Sequence, residues 1–135
     1  MDTKYVGQVR GYAREGDCGA DLACAETVTV MARRHASISL GCRLQAPPDI
    51  WIWLTARSST WGRLGLMVID GVIDSGFRGE LFARVYNPGL VSVTVQEGDR
   101  IVQAIAMPLI RMNFVQVAAL DPSERGENGF GSTGV

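Results

Sequence analysis

The sequence lacks the features that mark several large classes of protein. Its 13 basic residues are balanced by 14 acidic ones, so no broad positive field is available to hold a nucleic-acid backbone. The longest apolar run, IWIWL, is far too short to cross a bilayer, and no secretory signal is visible near the N-terminus. We therefore expect neither nucleic acid nor a membrane as a partner. The expected location is the cytoplasm, or the nucleus for a eukaryotic or viral origin.

Cysteine and histidine are also scarce. The three cysteines, Cys18, Cys24 and Cys42, form no C-x-x-C pair, and His35 is the only histidine. An odd cysteine count without that spacing fits reduced intracellular thiols better than a disulfide framework or a zinc site. Because His35 lies in the polar stretch RRHAS, we expect it at the surface rather than as a metal ligand or a base.

Short apolar or alternating runs recur along the chain, separated by turn residues. VSVTV has a strict period of two, and no window of a dozen residues shows a clean 3.6-residue period. Turn signals such as Asp70-Gly71 and Asn87-Pro88-Gly89 follow at short spacing. Strands are expected within 27–31, 37–40, 50–55, 64–70, 80–87, 90–96, 100–107 and 112–120. The 135 residues therefore predict one all-β barrel or sandwich domain.

Two stretches depart from the strand pattern. In RSSTWGRLG, Ser58 or Ser59 could cap a single helical turn and Gly65 could close it. A helix start with two hydroxyls beside Arg57 can hold a phosphate, although an ordinary capped turn is the simpler interpretation. Beyond Pro122 the chain is rich in glycine, so we expect a domain over 1–122 and a flexible arm over 123–135.

Five separated stretches carry more specific chemistry than a β domain needs. In chain order they are DCGADLACA around Asp21, ARSST around Arg57, DGVIDSGFRGE around Asp74, EGDRIVQAI around Gln103, and the tail RGENGFGSTG. Their order and spacing resemble the five motifs of the homotrimeric all-β dUTPase family over about residues 16–135. Each motif alone is a weak signal, but five in the right order form a specific one.

The resemblance implies a distorted jelly-roll or β-barrel that assembles as a homotrimer, with each active site built from all three chains. It implies hydrolysis of dUTP to dUMP and pyrophosphate, which limits uracil in DNA and supplies dUMP for thymidylate synthesis. Asp74 would be the general base for the water that attacks the α-phosphorus. A Mg²⁺ ion would be held mainly by the triphosphate and waters, with Asp21 in its outer shell and no direct protein ligands. No regulatory partner protein can be named.

The side chains have the chemistry that these roles need. Arg57 and Arg125 can grip phosphate oxygens in bidentate fashion, and phosphoryl transfer depends mostly on positioning and charge neutralisation. Asp74 is a carboxylate that can accept a proton from water. The neutral phosphate donors are expected to be Ser58, Ser59, Gln103, Ser132 and Thr133.

The resemblance also assigns the base and the sugar. Phe77, where the family usually has tyrosine, would stack on the deoxyribose and exclude a 2′-hydroxyl. Uracil is expected to pair with backbone groups around 66–71, which places Gly71 and Val72 in the base site.

The arm would close over a neighbouring active site when the substrate binds. Phe130 would stack on uracil and Arg125 would reach the γ-phosphate. The arm's glycines would let the backbone approach the phosphates. Asn128 stands where the family usually has glycine, and asparagine tolerates a left-handed conformation better than most residues.

Simpler structural roles remain open for several of these residues. Asp74 could only cap backbone N–H groups between its two turns. Asp21 could lie in a surface loop or pair with Arg57. Gln103 could lie on a solvated strand face, and Phe77 could be a core aromatic. Arg78 is expected to be solvated or structural.

Two other functions compete with the dUTPase interpretation. The stretch ARSSTWGRLGLMV also resembles the phosphate-binding stretch of dCTP deaminases. A deaminase, however, needs a glutamate downstream to transfer protons, and this chain has Arg84 at the matching position. A non-catalytic nucleotide-binding regulator would be expected to lack Asp74 or the arm, and both are present. An unrelated β-sandwich interaction module would require five chance motifs in order.

Overall fold

The structure is a computed structural model that describes residues 2–131 and 133–134. Within these residues the chain forms eleven strands and one short π-helical segment, so the predicted all-β fold is confirmed. The strands are β1 (Lys4–Gly7), β2 (Gly19–Leu22), β3 (Val28–Val30), β4 (His35–Ser39), β5 (Cys42–Gln45), β6 (Ile50–Ala56), β7 (Met67–Ile69), β8 (Gly71–Ile73), β9 (Phe82–Tyr86), β10 (Val93–Val95) and β11 (Val102–Pro108). The π-helical segment, Thr60–Leu64, lies between β6 and β7.

Two antiparallel sheets form the body of the fold. The larger has the strand order β2-β11-β6-β8 and the smaller β4-β9-β7, with the pairs β1-β5 and β10-β3 beside them. Strand alternation gives each sheet an inner face: on β6, Ile52 and Leu54 are buried, whereas Trp51 and Trp53 face outward and are half-buried. Removing the inner side chains from water is the main stabilising contribution. The core also contains Leu22, Ile38, Leu40, Leu66, Leu81, Val85, Val95, Ile101 and Val102.

The single helical turn forms where the sequence predicts it, but its start is not capped as expected. Ser59 occupies the N-cap position with helical backbone angles, and its side chain makes no capping hydrogen bond. A serine needs an extended backbone at that position to reach the first N–H groups, so the capping prediction is wrong for Ser59. Instead, the buried Thr60 hydroxyl donates to the Ile101 carbonyl over 2.6 Å. Gly65 closes the turn in the left-handed region, with φ of 64°, as predicted.

The strand predictions fail in two places. Four short strands, β1, β2, β5 and β8, were not predicted, because their four or fewer residues show too little alternation. The strand predicted over 112–120 is wrong: no strand lies there in the described structure. Every described residue from 110 to 134 is exposed, so the alternating pattern of this segment has no neighbouring strand to pair with in its own chain.

The described part of the arm is held only by contacts within itself. Asn128 N–H donates to the Arg125 carbonyl over 3.2 Å, and the Arg125 Nε donates back to the Asn128 carbonyl over 2.7 Å. Gly126 N–H donates to the Ser123 hydroxyl. Asn128 is not among the residues with positive φ, so the left-handed conformation considered for it is not adopted.

The described residues include no helix with the length and apolar character needed to cross a membrane.

Candidate active site

A buried carboxylate lies at the edge of the larger sheet. Asp21 lies on β2, opposite Gln103 of β11, and Gln103 in turn lies opposite Thr55 of β6. The Asp21 side chain is only 7% exposed; its Oδ1 accepts from Arg57 Nε at 2.8 Å and its Oδ2 from Arg100 Nη1 at 3.1 Å. A buried charge needs such partners because desolvation is costly. The surface-loop interpretation of Asp21 is therefore wrong, and the pairing with Arg57 is confirmed.

Two arginines are fixed by this carboxylate beside an open cleft. Arg57 also donates from Nη1 to the Arg100 carbonyl over 2.9 Å, so two of its five N–H donors are used. A cleft of about 320 Å³ is lined by Arg57, Ser59, Arg63 and Arg100 together with the turn at Gly98–Asp99. Ser58 is exposed next to Arg57. Three guanidinium groups around one cleft are suited to an anion with several charges.

Gln103 is held in one orientation rather than solvated freely. Its Nε2 donates to the Ala56 carbonyl over 2.9 Å, and the side chain is half-buried. The amide packs directly over Gly19 on the neighbouring strand, where an added Cβ would collide with Gln103 Oε1. A larger residue at position 19 would force the amide out of this orientation. The solvated-face interpretation of Gln103 is therefore wrong.

A second cleft, also of about 320 Å³, lies between the two sheets. Its lining residues are Leu54, Ile69, Asp70, Gly71, Val72, Ile73, Asp74, Phe77, Glu80, Leu81, Phe82 and Arg84. It therefore brings together Asp74, Phe77, Gly71 and Val72, the residues expected to act on or bind the nucleoside.

Asp74 lines this cleft and is exposed, directly after β8. Its backbone carbonyl accepts the Phe77 N–H over 3.0 Å, while its exposed carboxylate has no hydrogen bond or ion pair to any described residue. The turn is closed by Arg78, whose Nη1 donates to the carbonyls of Ser75 and Phe77 over 2.7 and 3.0 Å. Arg78 is thus structural, as expected. The Asp74 carboxylate does not cap the turn and is available to a ligand.

Phe77 presents its ring to the cleft rather than to the core. The side chain is 44% exposed, so the core-aromatic interpretation is wrong. An added Cβ on Gly79 would meet the ring atoms Cε1 and Cε2 at about 3.1 and 3.0 Å, so the ring lies against a bare stretch of backbone. A flat apolar ring beside a carboxylate is suited to packing on a sugar or a base.

The arm residues lie apart from both clefts. Phe130 is fully exposed, and Arg125, Phe130 and Thr133 line a shallow depression formed by the arm alone. Ser132 lies outside the described residues. The arginine-lined cleft, the Asp74 cleft and the arm share no lining residue. The described chain therefore does not bring the predicted site residues together in one place.

The cysteines and the single histidine play no part in either cleft. All three thiols are free, and burial raises the pKa of Cys24 and of Cys42 to about 11. Cys18 is exposed, as is His35 at the start of β4. In the part of the chain that is described, no group of three or more His, Cys, Asp or Glu side chains forms a metal-binding cluster.

Several lining residues were not singled out from the sequence. Arg63 and Arg100 look like ordinary surface arginines, and Asp70 looks like a turn residue. Arg100 carried one usable signal, because it lies in the same short stretch as Gln103 at the start of β11. The hydrogen bonds of Asp70 are long-range in the chain, so no local pattern could reveal them.

A two-sheet protein with an arginine-lined cleft and a separate cleft edged by a carboxylate and an aromatic ring is suited to a phosphorylated ligand with a flat ring. The family model described as dUTPase matches residues 7–134. The deoxyuridine 5′-triphosphate nucleotidohydrolase of Clostridium novyi (strain NT) is 37% identical over 125 residues, which cover 91% of this chain and 88% of that protein. The chain belongs to the dUTPase family, and it is an enzyme that hydrolyses dUTP to dUMP and pyrophosphate.

Solved structures agree with this assignment. A tyrosine-to-phenylalanine variant of the Staphylococcus bacteriophage 80alpha dUTPase, with dUpNHpp, superposes with a TM-score of 0.92 at 26% identity over 99% of each chain. A variant of the dUTPase from phage phi11 of S. aureus, described as coordinating a structural Mg(II) ion, has a TM-score of 0.81 over 90% of this chain and 100% of that one. At 19% identity, the second likeness concerns the fold alone.

Proposed function

We propose that Asp74 is the general base of this dUTP hydrolysis. The observation that supports this role is its exposed carboxylate, which has no hydrogen bond or ion pair to a described residue and lines the same cleft as Phe77. A water oxygen attacks the α-phosphorus while its proton passes to Asp74. The new P–O bond forms on dUMP, and the bond from the α-phosphorus to the bridging oxygen breaks to release pyrophosphate.

We propose that the Asp74 cleft binds the deoxyuridine. The Phe77 ring would lie on the deoxyribose, where its bulk leaves no room for a 2′-hydroxyl. Backbone groups near Gly71 and Val72 would pair with the edge of uracil, since both residues line the cleft at the start of β8. The missing tyrosine hydroxyl removes one possible hydrogen bond but keeps the excluding ring.

The triphosphate would bind the arginine-lined cleft of a neighbouring chain, since the two clefts of one chain share no lining residue. Arg57 has N–H donors beyond those used on Asp21 and on the Arg100 carbonyl, and Ser58 and Ser59 lie beside it. The fixed amide of Gln103 adds a neutral donor. Donors held in place before the substrate arrives lose little conformational freedom on binding, which favours tight positioning of the phosphates.

Mg²⁺ is the proposed cofactor, brought with the triphosphate. Both Asp21 oxygens already accept from arginines, so this carboxylate is better suited to hold metal-bound water than to bind the ion directly. When bound, the ion supplies charge neutralisation on the phosphate oxygens. The chain's own contribution is the arrangement of Arg57, Gln103 and Asp21 around the phosphates.

We propose that residues 123–135 form an arm that closes over a neighbouring active site. Arg125 would reach the γ-phosphate, Phe130 would stack on uracil, and Ser132 and Thr133 would bind phosphate oxygens. The exposed Phe130 and the purely local hydrogen bonds of the arm support a segment that is free to dock elsewhere. Closure would exclude water and strengthen each electrostatic contact.

A homotrimer is the proposed assembly, because one chain leaves its own site incomplete. The segment before the arm also exposes apolar side chains that a monomer would normally bury, including Phe114 and Leu120, which are 85% and 88% exposed. The strand-like pattern of 112–120, unpaired in its own chain, could pair with another copy. Light scattering is expected to report the mass of a trimer. The expected location of the protein is the cytoplasm or the nucleus.

The test is pyrophosphate release with Mg²⁺ from dUTP, dCTP, dTTP and UTP. Turnover of dUTP is expected to exceed that of the others, and Asp74→Asn should lower kcat by a factor of about 10² to 10⁴. Asp49→Asn is the matched control, because Asp49, like Asp74, is an exposed aspartate next to a strand end, but it lines neither cleft. Full turnover by Asp74→Asn would contradict the general-base role. Ammonia release from dCTP would support a deaminase, and dUTP binding without turnover would support a regulator.

A further inference from the structure

Asp70 is the one residue between β7 and β8, where the chain passes from the smaller sheet to the larger. It lies between β7, which pairs with β9 in the smaller sheet, and β8, which pairs with β6 in the larger sheet. The two strands are consecutive in sequence, yet they belong to different sheets. Whatever fixes Asp70 therefore fixes the relation between the two sheets at this point.

Both oxygens of the Asp70 carboxylate are held by side chains of β6. Oδ1 accepts from the Thr55 hydroxyl at 2.6 Å, and Oδ2 accepts from the Trp53 indole Nε1 at 3.0 Å. Both donors point from the outer face of the larger sheet. Hydrogen bonds to an ionised acceptor are stronger than neutral ones, so an exposed carboxylate with two of them is held in one orientation.

This contact borders the Asp74 cleft, whose walls come from both sheets. The larger sheet supplies 71–73 on β8, and the smaller sheet supplies Ile69, Phe82 and Arg84. Asp70 joins the two walls and also lines the cleft itself. We propose that Asp70 is a positioning residue that sets the width of this cleft and thereby its selectivity for the base. The inference rests on the proposed binding of deoxyuridine in the cleft.

Thr55 gives the contact a second consequence. Thr55 lies opposite Gln103, which lies opposite Asp21. The pair of hydrogen bonds from Thr55 and Trp53 to Asp70, here called the Asp70 clamp, therefore starts in the same row of residues as the proposed phosphate donor Gln103. The position of the β7–β8 connection is thus linked through the Thr55 hydroxyl to this row of residues. This predicts that loss of the Thr55 hydroxyl and loss of the Asp70 carboxylate act on the same property.

The test compares steady-state constants for dUTP and dCTP in Asp70→Asn, Thr55→Val, Trp53→Phe and the double variant Asp70→Asn/Thr55→Val. Asp70→Asn keeps the shape of the side chain but replaces one carboxylate oxygen by an NH₂ group. That group would then face a donor, either the Thr55 hydroxyl or the Trp53 indole N–H. It should raise KM for dUTP about tenfold and narrow the ratio of kcat/KM for dUTP over dCTP. The kcat at saturation should stay within about threefold, because Asp74 is unchanged. The double variant should be no worse than the poorer single variant.

The indole N–H resonances of the native protein give a readout that does not depend on turnover. Trp53→Phe identifies the Trp53 resonance, which should shift in Asp70→Asn, while the Asp49→Asn control leaves it in place. A shifted resonance with unchanged KM and unchanged base ratio would overturn the positioning role. An unshifted resonance would overturn the clamp itself. Failure of the proposed general base is a separate result, since it requires full turnover by Asp74→Asn.

Discussion

The larger sheet and the C-terminal segment differ in how their polar side chains are held in place. On the sheet, Asp21, Arg57 and Gln103 are fixed by partners in the same chain before any ligand arrives. From 110 onward, the described residues are exposed and the arm bonds only to itself. The polar groups of the sheet are therefore preorganised for binding. The arm, in contrast, must become ordered by contacts with another chain or with the substrate. Changes in the two regions should consequently affect different measurements.

Removal of the arm should give the largest loss of activity that occurs without a loss of stability. Truncation after Pro122 removes Arg125 and Phe130, so kcat/KM for dUTP should fall about a hundredfold through the loss of a charged contact and a stacked ring. The midpoint of thermal unfolding should not change, because the described arm makes no hydrogen bond to the sheets. A drop in that midpoint alongside the activity would show that the arm also supports the fold.

A substitution on the sheet should lower both activity and stability. Gly19→Ala places a methyl group where the Gln103 amide now lies, so the amide must leave its present position. We expect kcat/KM to fall about tenfold and the free energy of unfolding to fall by about 1–3 kcal/mol, as in other overpacked sites. Denaturant titration at fixed protein concentration measures the second effect. The control is Gly62→Ala, since a Cβ there meets nothing within 4 Å.

The buried thiols should affect the stability of the fold but not activity, and only at alkaline pH. Burial raises the pKa of Cys24 and Cys42 from 9.0 to about 11, so the neutral thiol is favoured in the folded state. This contribution is complete below about pH 9 and is lost as the pH rises through about 11. Between these values, the native protein should lose more stability than a Cys24→Ala/Cys42→Ala variant does. In the folded protein at pH 8, a thiol reagent should modify Cys18 alone.

The sequence predicted the sheet region better than it predicted the contacts within it. Alternation in IWIWLT and VSVTV indicated strands because one face of each is buried. The motifs indicated Asp21, Arg57 and Asp74 because their residue types suit phosphate and water chemistry. Arg100 and Asp70 were not predicted as site residues because their roles depend on distant contacts. Arg100 bonds to a residue 79 positions away in the chain. Asp70 bonds to residues 15 and 17 positions away.

The segment over 112–120 shows the opposite limit. Its alternating apolar residues were wrongly interpreted as a strand within the same chain. Periodicity reports that a face needs to be buried and says nothing about which chain buries it. The same limit applies to the arm, whose Phe130 and Arg125 are specific in type but have no partner that the sequence can identify.

The central claim is that one active site takes Asp74 from one chain and the arm from another. It is tested most directly by refolding an equal mixture of Asp74→Asn and the protein truncated after Pro122, and measuring dUTP hydrolysis. Random assembly pairs an intact Asp74 with an intact arm from a neighbour in about a quarter of the sites, so about a quarter of native activity should return. Activity no greater than the average of the two parent variants would contradict the claim.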